Sequence, residues 1–235
     1  MPIAYWLFVL LTLLLIVFVA YTTVRSARLL DDWPPELNPL LIPGENVIRL
    51  LLIVVCLGLG RLSGLSPAQL GWRFDQALPH ALWGITGGLA IAGFYIVLTR
   101  LVVARTGHRF YRTTLLRLIV PRTGRQLVWV LLALGPVVLM EELLFRSLLV
   151  GGLAPIAPTG WLILASGIIF GALHSPQGRW GVVGTAAAGV ALGWTFAATG
   201  SLVLPVVAHY VANSAQIALA YRLGERAYAM DETGR

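Results

Sequence analysis

The stretch PVVLMEELLFRSLLV, residues 136–150, places Glu141, Glu142 and Arg146 in a run otherwise fit for lipid. Further along, His174 closes FGALH, and His209 and Asn213 stand four apart in HYVAN. Between Asp75 and Glu225 the only acids are these two glutamates. An ionised acid at mid-bilayer costs roughly 2.5–3.5 kcal/mol on insertion scales, so the pair needs partners or a wet cavity. Four-residue spacing puts Glu142 beside Arg146, Phe170 beside His174 and His209 beside Asn213, each pair on one helical face. Glu141 is turned by about 100° from Glu142 and can point elsewhere. Glutamate, two histidines and an asparagine suffice for hydrolysis. Glu141 could take a proton from water and deliver it to a leaving amine, while His174 holds the same water. His209 and Asn213 could donate to the oxyanion of a tetrahedral intermediate. Glu142 with Arg146 would then support the first glutamate.

These groups need a scaffold, and composition says which kind. Of 235 residues, 58% are hydrophobic and 11% charged, with a mean hydropathy of +0.83. That balance excludes an ordinary soluble domain and predicts one polytopic membrane domain over 1–235. Lipid offers backbone groups no partner, so the expected fold class is all-α, a transmembrane helical bundle. Seven spans are predicted near 3–24, 40–60, 80–104, 127–150, 161–175, 182–199 and 202–221, the second and fifth being the weakest. An amphipathic eighth segment, RFYRTTLLRLIV near 108–121, could lie along the interface. The first span has no basic stretch ahead of it and spans fully, so it reads as a retained helix rather than a signal peptide.

The formal charge is +7 and every basic residue except the histidines is arginine. With seven spans and an outside N-terminus, Arg25, Arg28, Arg105, Arg109, Arg112, Arg117, Arg122, Arg125, Arg179, Arg222, Arg226 and Arg235 fall on the cytoplasmic side. Arg61 and Arg73 go to outer loops. The charge thus reads as membrane orientation, with no nucleic-acid partner. The expected partners are the bilayer and a membrane-associated peptide or protein, lipidated or not. The lack of lysine points to a GC-rich bacterial source and an inner-membrane location. The lone Cys56 excludes a disulfide framework and reads as packing. The stretch 181–194, GVVGTAAAGVALGW, suits close helix packing. Trp72, Trp83, Trp161, Trp180 and Trp194 mostly flank spans as interfacial anchors. Pro136 and Gly135 could loosen the fourth helix or admit a neighbour, and His80 and His108 receive no chemistry.

EELLFR, FGALH and HYVAN resemble, in order, the motifs E-E-x-x-x-R, F-x-x-x-H and H-x-x-x-N of the type II CAAX prenyl endopeptidases, also called CPBP intramembrane proteases. Together on successive hydrophobic segments they are far more specific than any one alone. The resemblance covers about 120–220. It implies a bundle whose polar cavity opens to membrane and cytosol, and cleavage near a substrate's C-terminus in members that act on prenylated proteins. It also implies that Glu141 is the catalytic glutamate, Glu142 and Arg146 its supporting or substrate-orienting partners, His174 the second water-activating group, and His209 with Asn213 the oxyanion stabilisers. Glu141, His174 and His209 could instead hold zinc, but that would occupy the obvious base unless Glu142 took its place, and no H-E-x-x-H pair is present. A metal-independent glutamate mechanism is the expectation. A transporter or proton relay, and a non-catalytic immunity-type scaffold, remain the alternatives from other classes.

Overall fold

The computed structural model describes residues 1–32, 37–110 and 114–232. Among these the only regular structure is helical: α1 (Ile3–Asp32), α2 (Pro43–Leu62), α3 (Ala77–Thr106), α4 (Thr114–Ile119), α5 (Gly124–Glu142), α6 (Thr159–Leu173), α7 (Gly178–Thr199) and α8 (Val203–Glu232). α5 runs on without a break into a π-helical segment, Leu143–Gly151. The all-α expectation holds, and each of the seven predicted segments is a helix. Among the described residues, five helical stretches are long and apolar enough to cross a bilayer: Ile3–Ser26, Ala77–Thr106, Gly124–Gly151, Ser175–Thr199 and Val203–Gly224.

The two helices that fall short are the two weakest in sequence. α2 has 20 residues but carries Glu45, Arg49 and Arg61. α6 has 15 residues, about 22 Å of helix against a hydrocarbon core of about 30 Å. His174 is the residue at its C-terminal corner. The amphipathic segment near 108–121 is a turn, Gly107–Arg109, followed by the six-residue α4. Its middle lies outside the described residues, as do Arg112 and Arg235 of the orientation argument.

Small residues bring the helices close. α6 and α7 touch through Gly167, Gly171 and Gly189: a Cβ on Gly171 would come within 2.5 Å of the Val182 carbonyl oxygen. The stretch 181–194 therefore packs as its composition predicted. α3 and α8 meet in the same way at Gly84 and Gly88, where a Cβ on Gly88 would lie 2.5 Å from the Ala208 oxygen. The large apolar residues left exposed on α1, α2 and α3, such as Leu14, Phe18, Leu51, Val54 and Phe94, form the lipid-facing surface. Such an apolar exterior would be untenable in water.

At one end of the bundle the chain between α2 and α3 folds over the π segment. Trp72 Nε1 donates to Ser147 Oγ at 2.9 Å, and Ser147 Oγ donates to the Leu70 oxygen at 2.7 Å. Leu202 N donates to the Gly71 oxygen and Ser201 Oγ to the Arg73 oxygen. This end is sealed. Arg73 and Asp75 form an exposed pair on its outside, and the hydrogen bonds from Arg73 hold the Asp75 carboxyl below its ordinary range.

Candidate active site

Glu141 and Glu142 sit at the end of α5, where the helix widens. A π turn closes residue i on i+5 and so takes more than the 3.6 residues of an α turn. All nine residues of the segment are buried, Arg146 and Ser147 among them. Ser166 Oγ of α6 donates to the Phe145 oxygen at 3.3 Å, and Tyr5 of α1 donates to the Gly152 oxygen at 2.9 Å, so neighbouring helices help satisfy carbonyls around the irregular stretch. π segments recur at functional sites, and here one begins directly after the two glutamates. Residue spacing alone gave no sign of it.

The two acids part company. Glu142 is wholly buried and Arg146 with it. Glu142 Oε1 accepts from Arg146 Nη1 at 2.9 Å and from His209 Nδ1 at 2.7 Å. Arg146 Nη2 donates to the Gly189 oxygen at 3.0 Å, and its guanidinium lies 5.0 Å from the centre of the Phe170 ring. The expected i,i+4 pair thus exists, and it reaches three other helices. Glycine at 189 lets α7 approach closely enough for its carbonyl to be used.

Glu141, about one-fifth exposed, faces a cavity of about 330 Å³ instead. His174, His209 and Asn213 line the same cavity. Glu141 Oε2 lies 3.6 Å from His209 Nε2, close but longer than a hydrogen bond. All six residues singled out in sequence therefore meet in one place. The Glu142–His209 bond is the contact the sequence did not announce.

Phe170 is the spacer that makes this possible. Its ring packs 4.6 Å from His174, 5.7 Å from His209 and 5.1 Å from Phe145, centre to centre. It thereby stands among Arg146 and both imidazoles. Its backbone oxygen also fixes a tautomer. A carbonyl only accepts, so the 2.7 Å contact with His174 requires a proton on Nδ1. Neutral His174 then has its lone pair on Nε2. His209 is held likewise through Nδ1 by Glu142, which turns Nε2 toward Glu141.

Among the described residues, no three His, Cys, Asp or Glu side chains are grouped so as to hold one metal ion. Glu141, His174 and His209 line one cavity without being grouped in that way. One cavity residue escaped notice in the sequence. Arg49 of α2 lines the cavity with the others, and the signal available was an arginine in the otherwise aliphatic run NVIRLLLIVVCL.

Residues 123–215 match the family described as type II CAAX prenyl endopeptidase Rce1-like. No curated protein and no solved structure matches the chain. The matched span begins at the cap of α5 and ends just past Asn213, so it contains the two glutamates, Arg146, both histidines and the π segment. Over residues 123–215 the chain is therefore similar to the type II CAAX prenyl endopeptidase Rce1-like family.

Proposed function

We propose that the protein hydrolyses a peptide bond of a membrane-associated substrate with a water activated by Glu141 and His174. The observation that carries this reading is the convergence of Glu141, His174, His209 and Asn213 on one cavity, from two separate helices, α5 and α8, and the α6 corner. The water lends a proton to Glu141 while Nε2 of His174 holds its other hydrogen, and its oxygen attacks the carbonyl carbon. His209 and Asn213 face the resulting oxyanion. For Nε2 of His209 to donate, that ring must hold two protons, and the Glu142 carboxylate beside Nδ1 supplies the countercharge. Glu141 then returns its proton to the departing nitrogen, the C–N bond breaks, and an amine and a carboxylic acid leave, the acid giving its remaining proton to the amine or to water.

Arg146 and Glu142 are positioning residues in this scheme, since they act through His209 and Phe170. The cavity is also lined by Pro39, Ile119 and Gln177, near the bundle end that carries Arg105, Arg122, Arg125 and Arg179. With the opposite end covered by the Trp72 loop, substrate enters from the arginine-rich side, which the positive-inside rule makes cytoplasmic. In this reading a multi-pass membrane protein cuts a peptide tail, with or without a lipid, presented from that side.

Two measurements test the chemistry. Asn213→Ala should lower kcat by about 10²–10³-fold with little change in KM, as for loss of one oxyanion donor. An ion-transport role for the same polar cluster predicts instead a flux that survives this change. Incubation with a chelator should leave cleavage of a membrane-tethered peptide intact. Complete loss with zinc-specific rescue would overturn the metal-independent scheme.

A further inference from the structure

Trp180, near the start of α7, ties together three pieces of chain at the arginine-rich end. Its backbone N–H donates to the Phe110 oxygen at 2.9 Å, and its Nε1 donates to Thr99 Oγ1 of α3 at 2.9 Å. Its ring stacks on Tyr95 of α3, 6.4 Å centre to centre. Arg109 and Arg179 each stand one residue before the Phe110–Trp180 bond, so their backbones are no more than about 14 Å apart. Arg100 follows Thr99, and Arg105 precedes Arg109 by four residues. All four arginines are exposed.

Among the described residues no carboxylate pairs with any of the four, and no carbonyl accepts from their guanidinium groups. Arg109 lies 5.7 Å from the centre of the Phe110 ring, a contact that supplies no acceptor oxygen. From residue 76 to 224 the only acids are Glu141 and Glu142, and both belong to the catalytic cavity and its buried support. Lipid-facing side chains lead straight to these charges. Val97 and Leu101 of α3 and Val183 of α7 are 57%, 46% and 58% exposed. Arg100 is three residues beyond Val97, Arg105 four beyond Leu101 and Arg179 four before Val183, so each arginine shares a helix face with an apolar side chain open to lipid. An acyl chain fits along such a face with its phosphate at the arginine; a soluble anion would use only the second half. Trp180 and Tyr95 are the aromatic types that gather at headgroup depth.

The same corner carries His174. From it the chain makes one 3-10 turn, Ser175–Gln177, in which Gln177 N donates to the His174 oxygen at 3.0 Å, and then turns at Gly178 with φ of 84° into Arg179 and Trp180. Gln177 packs on Gly181 and also lines the cavity. Whatever holds Arg179 and Trp180 against α3 therefore holds the short link to His174. We propose that Arg109 and Arg179, with Arg100 and Arg105 beside them, bind the phosphate of an anionic phospholipid in the cytoplasmic leaflet, and that the bound headgroup braces the corner that positions His174. The lipid site stands on the arginines alone; its effect on turnover rests on the hydrolytic reading of the cavity. Guanidinium forks suit a phosphate, and each arginine at a membrane surface adds about fivefold to the affinity for anionic lipid.

Binding and effect are read separately. Native mass spectrometry of the detergent-purified protein, incubated with phosphatidylglycerol or phosphatidylcholine, should show the anionic lipid retained and the zwitterionic one lost. Arg109→Gln/Arg179→Gln should weaken that retention by about 25-fold, about fivefold for each arginine. Arg122→Gln/Arg125→Gln removes as much exposed charge at the start of α5 and should leave retention nearly unchanged. Equal loss in the two double variants, or retention that survives Arg109→Gln/Arg179→Gln, overturns the site. Cleavage of an uncharged membrane-tethered peptide is then measured in nanodiscs. Phosphatidylglycerol should raise kcat of the wild type several-fold over phosphatidylcholine with little change in KM, and should leave Arg109→Gln/Arg179→Gln at its phosphatidylcholine rate. Trp180→Phe keeps a ring and loses the bond to Thr99, so it should retain the lipid and lose the stimulation. Full stimulation in Trp180→Phe overturns the link to His174. Stimulation by inorganic phosphate in phosphatidylcholine nanodiscs overturns the assignment to a lipid. Arginine-dependent retention without any cleavage by wild type would leave the lipid site standing and remove the hydrolytic reading.

Discussion

Glu141→Gln abolishes peptide cleavage while the protein stays folded and inserted: that is the expected result with the largest effect on rate. Glutamine keeps the volume and loses the base. Removing a group that serves first as base and then as acid should lower kcat by at least about 10²–10⁴-fold. The structural cost should be small, because Glu141 faces the cavity and its recorded neighbour is His209 Nε2 at 3.6 Å rather than a buried partner. Thermal unfolding in detergent should therefore change by less than about 0.5 kcal/mol, the range of substitutions away from buried networks. The readout is mass-spectrometric mapping of new termini in membranes holding either protein. Turnover retained by Glu141→Gln removes the glutamate from its proposed role.

The second large effect is on stability. Arg146→Met leaves Glu142 as a buried carboxylate without its cation, and breaking such a pair costs about 3–5 kcal/mol. The change also removes the donor to the Gly189 oxygen and the cation over Phe170. Glu142→Gln is expected to be milder in stability, since glutamine can still accept from Arg146, but it alters the group that holds His209 Nδ1 and should lower kcat. Because both act through one network, the double variant Glu142→Gln/Arg146→Met should cost less than the sum of the singles. The unfolding midpoint of each protein in a denaturing detergent series measures the coupling. Strict additivity would mean that the pair is not the unit that positions His209.

These two predictions differ because adjacent glutamates have opposite surroundings. Glu141 and Glu142 are chemically identical and one residue apart. Sequence already separated them, since Glu142 had Arg146 four residues on and Glu141 had no charge within reach on its own helix. It could not say that Glu142 would also bind His209, sixty-seven residues away, because that contact needs α8 packed on α5.

Much of the scaffold was open to reading for a simple reason. Lipid forces every backbone group into a helix, so hydropathy and length reveal elements that a soluble chain would leave ambiguous. The two doubtful segments, α2 and α6, turned out to be those with an internal arginine and with insufficient length. Periodicity could not reveal that α5 passes into a π helix, because the same residues satisfy either ladder. Neighbours such as Ser166 and Tyr5, which bond to carbonyls around it, come from other parts of the chain. Spacing gave Arg49 no charged partner inside the bundle, its nearest acid being Glu45 one turn away on the same helix. Which way its side chain turns depends on the helix facing it.

The amino-acid order alone therefore determined the membrane class, the helices and the six polar residues with their local pairings, since each follows from composition or from spacing within a single helix. Tertiary structure decided the rest: that Glu141 faces a cavity and Glu142 the protein interior, that Phe170 spaces Arg146 from two imidazoles, and that Arg49 opens onto the same chamber. The physical reason is that spacing along a helix fixes which side chains share a face. What that face meets is set by the close approach of other helices, at Gly167 and Gly189 between α6 and α7 and at Gly88 between α3 and α8.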